Sequence, residues 1–466
     1  MLTLVRTVLF VGLVLGVSSG LGADEPPALP PPAPAPLRDP AQVTFAREVA
    51  QAIERGVIWL ASKAVILRAD GGPFATWGPA SNERSYGGGP AWTAFPSGPT
   101  ALALYTLLKC GADPSHDLIQ QGFAWMRERH AYDAVYDLET FGGPPPGGVR
   151  EHRVPHHIYG LAVTVLALTA LADAHKPSAK SRQAAKAGTL RALEKQDRDW
   201  LEEAVRELVL RQKNGGWGYG RVEGQPMEED LSVSQLCALA LVSAHRLGVA
   251  VEPQVLLDVA DWTLRAQEAQ GPAHPRLSAG TGALGESLPV DHARGFCYMP
   301  GSPAANEGRA SGSMTACGVA NLLLARELVA SDKRSARRWE QQYEARCEAA
   351  VWDGVAWLDL HWSVQQNLNG YGNVVYYLYC IERGLDLLGK HLVGNHLWYE
   401  EGARHLLAIQ QRQQVPARLG PSGIVDGSYW NTQTSVNPRD VLDTCFALLF
   451  LRRATIAHRA PVATGG

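Results

Sequence analysis

Two carboxylates occupy comparable places in this chain. Asp230 closes the stretch Glu228-Glu229-Asp230 and leads into the apolar run Leu231-Ser232-Val233-Ser234-Gln235, and Asp443 lies in Val441-Leu442-Asp443-Thr444-Cys445, where another apolar run begins. Carboxylates at helix starts suit acid and base work, one group giving a proton while another takes one. The same side chains suit helix capping, in which a carboxylate oxygen accepts from backbone N–H groups. His156 and His157 follow Pro155 at the start of a further apolar run and carry the same choice between a structural and a cavity-facing role. Aromatic residues crowd the adjoining loops: Trp77, Tyr86, Trp92, Phe95, Trp217, Tyr219, Phe296, Tyr298, Tyr429 and Trp430. They line a binding mouth or seal loops against helix ends. His156, His157, Trp92, Trp217, Tyr219, Tyr298 and Trp430 form the candidate ligand-binding set.

The elements that must position these residues repeat six times: a Trp-bearing helix, a loop rich in Gly and aromatics, then an apolar helix. The apolar members begin near Ser97, Ile158, Ser232, Ser313, Gly372 and Val441. Their partners are amphipathic and carry Trp59-Leu60, Trp125-Met126, Trp262-Thr263 and Trp357-Leu358, with Val209-Leu210 and His405-Leu406 in the third and sixth copies. A helix apolar on every side is buried, and one with a polar face lies outside. The expected fold is therefore all-α, an (α/α)6 toroid of six helix hairpins with inner and outer rings. An open superhelical solenoid is the alternative. Inner-to-outer links are mostly short and carry stop signals such as Gly111, Gly248 and Gly389. Outer-to-inner links are mostly long, near residues 66–97, 131–157, 213–231, 266–311 and 413–438. Long loops in a compact domain are usually functional, so the site is expected at the end where the inner helices begin.

Residues 1–23 read as a secretory signal: Arg6, a short apolar core from Val8 to Val17, and small residues before Ala23. Residues 24–40 are a proline-rich linker, 41–456 one toroid domain and 457–466 a tail. No other segment approaches the ~20 apolar residues that span a bilayer. The mature chain is expected to be exported, periplasmic or extracellular, without a transmembrane segment. A formal charge of −3 argues against a nucleic-acid partner. The basic clusters at Lys176–Arg198 and Lys333–Arg338 read as solvated helix faces. Seven cysteines without a C-x-x-C pair are not a disulfide framework, and most read as small core residues. Neither a G-x-S-x-G elbow, a P-loop nor an H-E-x-x-H motif occurs.

Gln212-Lys213-Asn214-Gly215-Gly216-Trp217 resembles the Gln-Trp motif of squalene–hopene cyclases, with degraded copies at Gln366 with Gly370-Tyr371 and at Gln414 with Gly427 and Trp430. With the six helix pairs, it is similar to the toroid of terpenoid cyclases and protein prenyltransferase β-subunits over residues 45–455. The resemblance implies a structural role for the motif, with Gln capping helix ends and Trp stacking on the next repeat. Asp440-Val441-Leu442-Asp443-Thr444-Cys445 is similar to the cyclases' Asp-x-Asp-Asp-Thr-Ala motif, whose middle Asp protonates the polyene. Leu442 stands at that position and has no proton to give. Asp440 and Asp443 would be the flanking pair, and with Asp230 they are the candidate catalytic residues. The same segment is similar to the Asp-x-Cys pair that helps bind zinc in prenyltransferases. Zinc at Asp443 and Cys445 would need a third ligand, for which His156 and His157 are best placed. No cofactor is otherwise expected.

Three functions remain open. The first is an exported toroid that binds an apolar or amphipathic small molecule, of isoprenoid type, without the cyclase acid. The second is a divergent terpenoid cyclase or transferase-like enzyme. The third is an (α/α)6 carbohydrate-active enzyme or a protein-binding scaffold that uses the loop-bearing end.

Overall fold

The computed structural model describes residues 40–69, 72–77, 97–127, 158–175, 193–218, 221–222, 225–226, 229–277, 288–301, 309–370, 372–420, 422–432 and 439–453. The chain divides into two units, Met1–Thr44 and Phe45–Gly466. In the first, residues 40–44 are helical, and the expected signal (1–23) lies outside the described residues. The tail, 457–466, does too.

The second unit is built from helices, as the sequence predicts for an all-α class. In chain order they are α1 (Pro40–Ser62), α2 (Ser97–Lys109), α3 (117–127), α4 (Ile158–Ala174), α5 (Lys195–Leu210), α6 (Leu231–Arg246) and α7 (Pro253–Arg265). There follow α8 (Gly312–Val329), α9 (Lys333–Gln342), α10 (Glu344–Leu360), α11 (Val374–Leu388), α12 (Trp398–Ile409) and α13 (Arg439–Arg452).

Two kinds of helix alternate, for the reason their composition implies. Helix α4 buries every residue from Ile158 to Ala172 and α6 every residue from Leu231 to Val242, so neither presents a polar face to water. The six apolar helices pack in order, α2 on α4, α4 on α6, α6 on α8, α8 on α11 and α11 on α13, and α13 packs on α2. Most amphipathic helices bury one stripe, whereas α10 buries every residue from Asp353 to Leu358. In α5 the stripe is Trp200, Leu201, Ala204, Val205 and Leu208, and this helix lies against α4 and α6. Helix α7 lies against α6 and α8, and α12 against α11 and α13. The basic cluster at Lys333–Arg338 forms α9, an extra helix between α8 and α10 in which Trp339 alone is buried.

The long links contain short antiparallel ribbons, which helix periodicity does not reveal. They are β1 (Val65–Ala69) with β2 (Gly72–Thr76), β3 (Arg221–Val222) with β4 (Gln225–Pro226), β5 (Ala273–Pro275) with β6 (Val290–His292), and β7 (Gln411–Pro416) with β8 (Ile424–Tyr429). Each lies between an amphipathic helix and the apolar helix that follows it, where it pairs backbone groups that a bare loop would leave to solvent.

The last ribbon fastens the end of the fold to its beginning. Trp59 Nε1 in α1 donates to Gln413 Oε1 at 2.9 Å, and Arg55 Nε donates to Ser428 Oγ at 3.2 Å. The Trp59 and Tyr429 rings stack at 4.8 Å. Gly427 permits this approach, since a Cβ there would stand 2.9 Å from the Trp59 Cβ.

Candidate functional site

The Gln-Trp segment folds as a tight turn at the end of α5. Asn214 and Gly215 take positive φ of 51° and 95°, and Lys213 and Gly216 exchange backbone hydrogen bonds of 2.9 Å. Gln212 Nε2 donates to the Val255 carbonyl of α7 at 2.9 Å. A Cβ on Gly215 would stand 2.3 Å from the Asp258 carbonyl oxygen, so the turn lies directly on the α7 backbone. The segment thus joins one repeat to the next. Replacing Gly215 with alanine combines a disfavoured φ with a backbone clash and is expected to cost about 2–3 kcal/mol, read by urea unfolding.

Trp217 is fully buried. Its backbone N–H donates to Ser234 Oγ at 2.9 Å and its Nε1 to the Leu208 carbonyl at 2.7 Å. The same clasp recurs. Trp77 donates from N to Thr100 Oγ1 at 3.0 Å and from Nε1 to the Leu60 carbonyl at 2.7 Å. Trp430 donates from N to Thr444 Oγ1 at 3.1 Å and from Nε1 to the Leu406 carbonyl at 2.8 Å. Phe296 keeps only the backbone half, donating to Thr315 Oγ1 at 3.1 Å. Each clasp ties the end of an amphipathic helix to the start of the apolar helix that follows it. Trp217 and Trp430, expected from the sequence as ligand contacts, are both packed here: neither has exposed surface, and each indole N–H is bonded.

The clasp also corrects a register. Leu60, Leu208 and Leu406 are equivalent because each carbonyl receives an indole N–H. The third copy's counterpart of Trp59-Leu60 is thus Glu207-Leu208 rather than Val209-Leu210, and Leu210 is 72% exposed. A hydroxyl residue in the first two turns of the apolar helix was the sequence signal for this partner, at Thr100, Ser234, Thr315 and Thr444.

Of the remaining aromatic candidates, Tyr298 is half-buried against the core, where its carbonyl accepts from Leu231 N at 2.9 Å. Trp92, Tyr219, His156 and His157 lie outside the described residues, as do Tyr86 and Phe95.

The three carboxylates are each held locally. Asp230 is buried and caps α6, its Oδ1 accepting from Ser232 N at 2.9 Å, Val233 N at 3.0 Å and Ser232 Oγ at 2.6 Å. Burial raises its carboxyl to about 7 against the pull of these bonds and of the Tyr298 side chain. Asp443 is buried, and its Oδ2 accepts from Thr432 N at 2.9 Å and Thr432 Oγ1 at 2.8 Å. Asp440 lies in the first turn of α13, where its Oδ1 accepts from Val441 N at 2.8 Å. Leu442 is buried between them. Cys445 is fully buried, and burial pushes its thiol up. Among the described residues, no group of three or more His, Cys, Asp or Glu side chains is placed to hold a metal ion.

A cavity of about 690 Å³ opens at the other end, among the C-terminal turns of α4, α6, α8 and α11. Leu247, Leu323, Ala330 and Leu387 line it with Thr169, Asp173, Ser243, Arg246, Arg326 and Glu327. Arg246 and Glu327 cross from α6 to α8 as a bidentate pair at 2.6 and 2.7 Å. Nothing in the sequence distinguishes these residues, because basic and acidic side chains near helix C-termini are ordinary solvated groups. A small gap between apolar helices, among Leu102, Tyr159, Leu166, Leu236, Tyr379 and Phe446, holds about 10 Å³, roughly one water. Among the described residues, no helix is long and apolar enough to cross a membrane. No known family model and no curated protein matches this chain.

Proposed function

We propose that this chain is an exported toroid of the terpenoid cyclase and prenyltransferase kind that binds an amphipathic small molecule, without the cyclase acid. The cavity at the C-terminal turns of α4, α6, α8 and α11 carries this reading. Its volume suits a small ligand, and its lining joins leucines to charged and hydroxyl groups. Four helix C-termini converge there, so their partial negative charge favours a cationic or hydrogen-bond-donating head group. The apolar tail lies against Leu247, Leu323 and Leu387.

The toroid reading is supported by the circuit of apolar helices, in which α13 returns to α2, and by the ribbon that joins Gln413 and Ser428 to α1. Against an alkene-protonating enzyme stand a leucine at position 442 and two flanking carboxylates already engaged by Thr432 and by the start of α13.

Organic extraction of the purified chain, followed by mass spectrometry, is expected to release an amphipathic molecule near one per chain. Leu323→Trp narrows the cavity and should lower that recovery several-fold while leaving the helical circular dichroism unchanged. Equal recovery from both proteins would remove the cavity as the site. Recovery from neither would overturn the binding function.

A further inference from the structure

Among the described residues, the apolar helices enclose a buried arginine beside two cysteines. Arg383 on α11 is fully buried, and among the described residues nothing accepts from its Nε or Nη1. Its Nη2 donates to Cys380 Sγ at 3.2 Å, and its guanidinium carbon lies 4.0 Å from the centre of the Tyr379 ring. Cys380 Sγ is in turn 3.5 Å from Cys317 Sγ on α8. The Tyr376 hydroxyl stands 3.9 Å from the Cys317 sulfur. A guanidinium taken out of water needs an anion beside it, and a sulfur is what this one touches.

We propose that Cys317 and Cys380 are a reversible dithiol–disulfide couple that ties α8 to α11. Three observations support it. The sulfurs already touch, and a bond of about 2.05 Å needs only about 1.5 Å of further approach. The two backbones come together beside the pair: a Cβ on Gly384, one turn beyond Cys380, would lie 2.9 Å from the carbonyl oxygen of Ala316, the neighbour of Cys317. Such closeness is what the short Cα separation across a disulfide requires. The third is electrostatic. Burial pushes the Cys380 thiol up, but the S–H of Cys317 and the Arg383 guanidinium outweigh it and bring it down to about 7. Burial and the neighbouring Cys380 push Cys317 up. Cys380, beside the Arg383 guanidinium, is therefore the easier of the two sulfurs to ionise. Cys110 and Cys347, by contrast, are pushed up to about 12 by burial and rest as thiols.

The exchange balances with a small-molecule disulfide as oxidant. The Cys380 thiolate attacks it and expels one thiolate, which takes the proton of Cys317. The Cys317 thiolate then attacks Cys380 Sγ, closes the protein disulfide and expels the second thiolate. One S–S bond is lost and one formed; two cysteines are oxidised, and the small disulfide is reduced. Both sulfurs are buried, so exchange proceeds through transient opening of α8 from α11. In the closed disulfide Cys380 can no longer ionise beside Arg383, which couples the redox state to packing between the two helices.

The test equilibrates the full chain with excess oxidised glutathione, or with dithiothreitol, in urea below the unfolding midpoint. Free thiols are then alkylated in strong denaturant and the peptides weighed. The expected result is one peptide pair joined through Cys317 and Cys380, lighter by two hydrogens than the separate peptides and absent after dithiothreitol. In Cys317→Ser the joined pair should vanish and Cys380 should carry glutathione instead. Complete alkylation of both cysteines after glutathione treatment, or a joined pair that involves another cysteine, would overturn the proposal.

Discussion

Replacing Trp217 with alanine is expected to lower the free energy of unfolding by about 3–5 kcal/mol. The indole is fully buried, so its removal leaves a cavity at the junction of α5 and α6. It also strands the Leu208 carbonyl that now accepts from Nε1. Trp217→Phe separates the two terms: it keeps most of the packing but strands the Leu208 carbonyl, so it should cost about 1–3 kcal/mol. Urea unfolding of the three proteins measures both. A tryptophan that served a ligand at a loop mouth would give a different pattern, with ligand recovery lost and stability barely changed. An unchanged unfolding midpoint in Trp217→Ala would refute the clasp.

Asp230→Asn should abolish a stability loss that the native chain suffers as pH rises. Burial raises the Asp230 carboxyl from 3.8 to about 7, so between these values the folded chain holds a proton that the unfolded chain has released. Stability from this group is complete below about pH 4 and falls as pH rises through 7, because the slope follows protons bound when unfolded minus protons bound when folded. Three pH units at ~1.4 kcal/mol each set a ceiling of about 4 kcal/mol. Asparagine keeps an oxygen for Ser232 N and Val233 N and carries no charge at any of these pH values. The unfolding free energy of the variant, measured from pH 4 to 8, should gain on that of the native chain up to about pH 7 and then run parallel to it. Asp386 is also raised by burial, but it is present in both proteins and cancels in the difference. Parallel curves throughout would show that Asp230 is ionised in the fold like any exposed carboxylate.

Composition and period alone were enough for the helical class and for the places where the apolar helices begin. Runs such as Leu161 to Leu168 have no polar side to expose, whatever their partners, and the alternation with amphipathic helices such as α5 follows from the same rule. That Leu442 has no proton to give was also legible, because the chemistry of one side chain needs no neighbours to be stated. The Gln-Trp turn was legible as structure, since Asn214-Gly215-Gly216 permits the positive φ that the turn adopts.

Only the tertiary structure shows which way the described candidates turn. An indole in a loop has the same sequence appearance whether it faces a ligand or a helix end. Only the carbonyls of Leu208 and Leu406, brought to 2.7 and 2.8 Å, assign Trp217 and Trp430 to the second role. The capping of α6 by Asp230 and the Thr432–Asp443 bonds are local in sequence, yet burial, which raises the Asp230 carboxyl, comes from the packing around it. The cavity draws its lining from four helices, and the Cys317–Cys380–Arg383 cluster joins residues 63 positions apart. Proximity across such separations is created by packing, and no spacing along the chain encodes it.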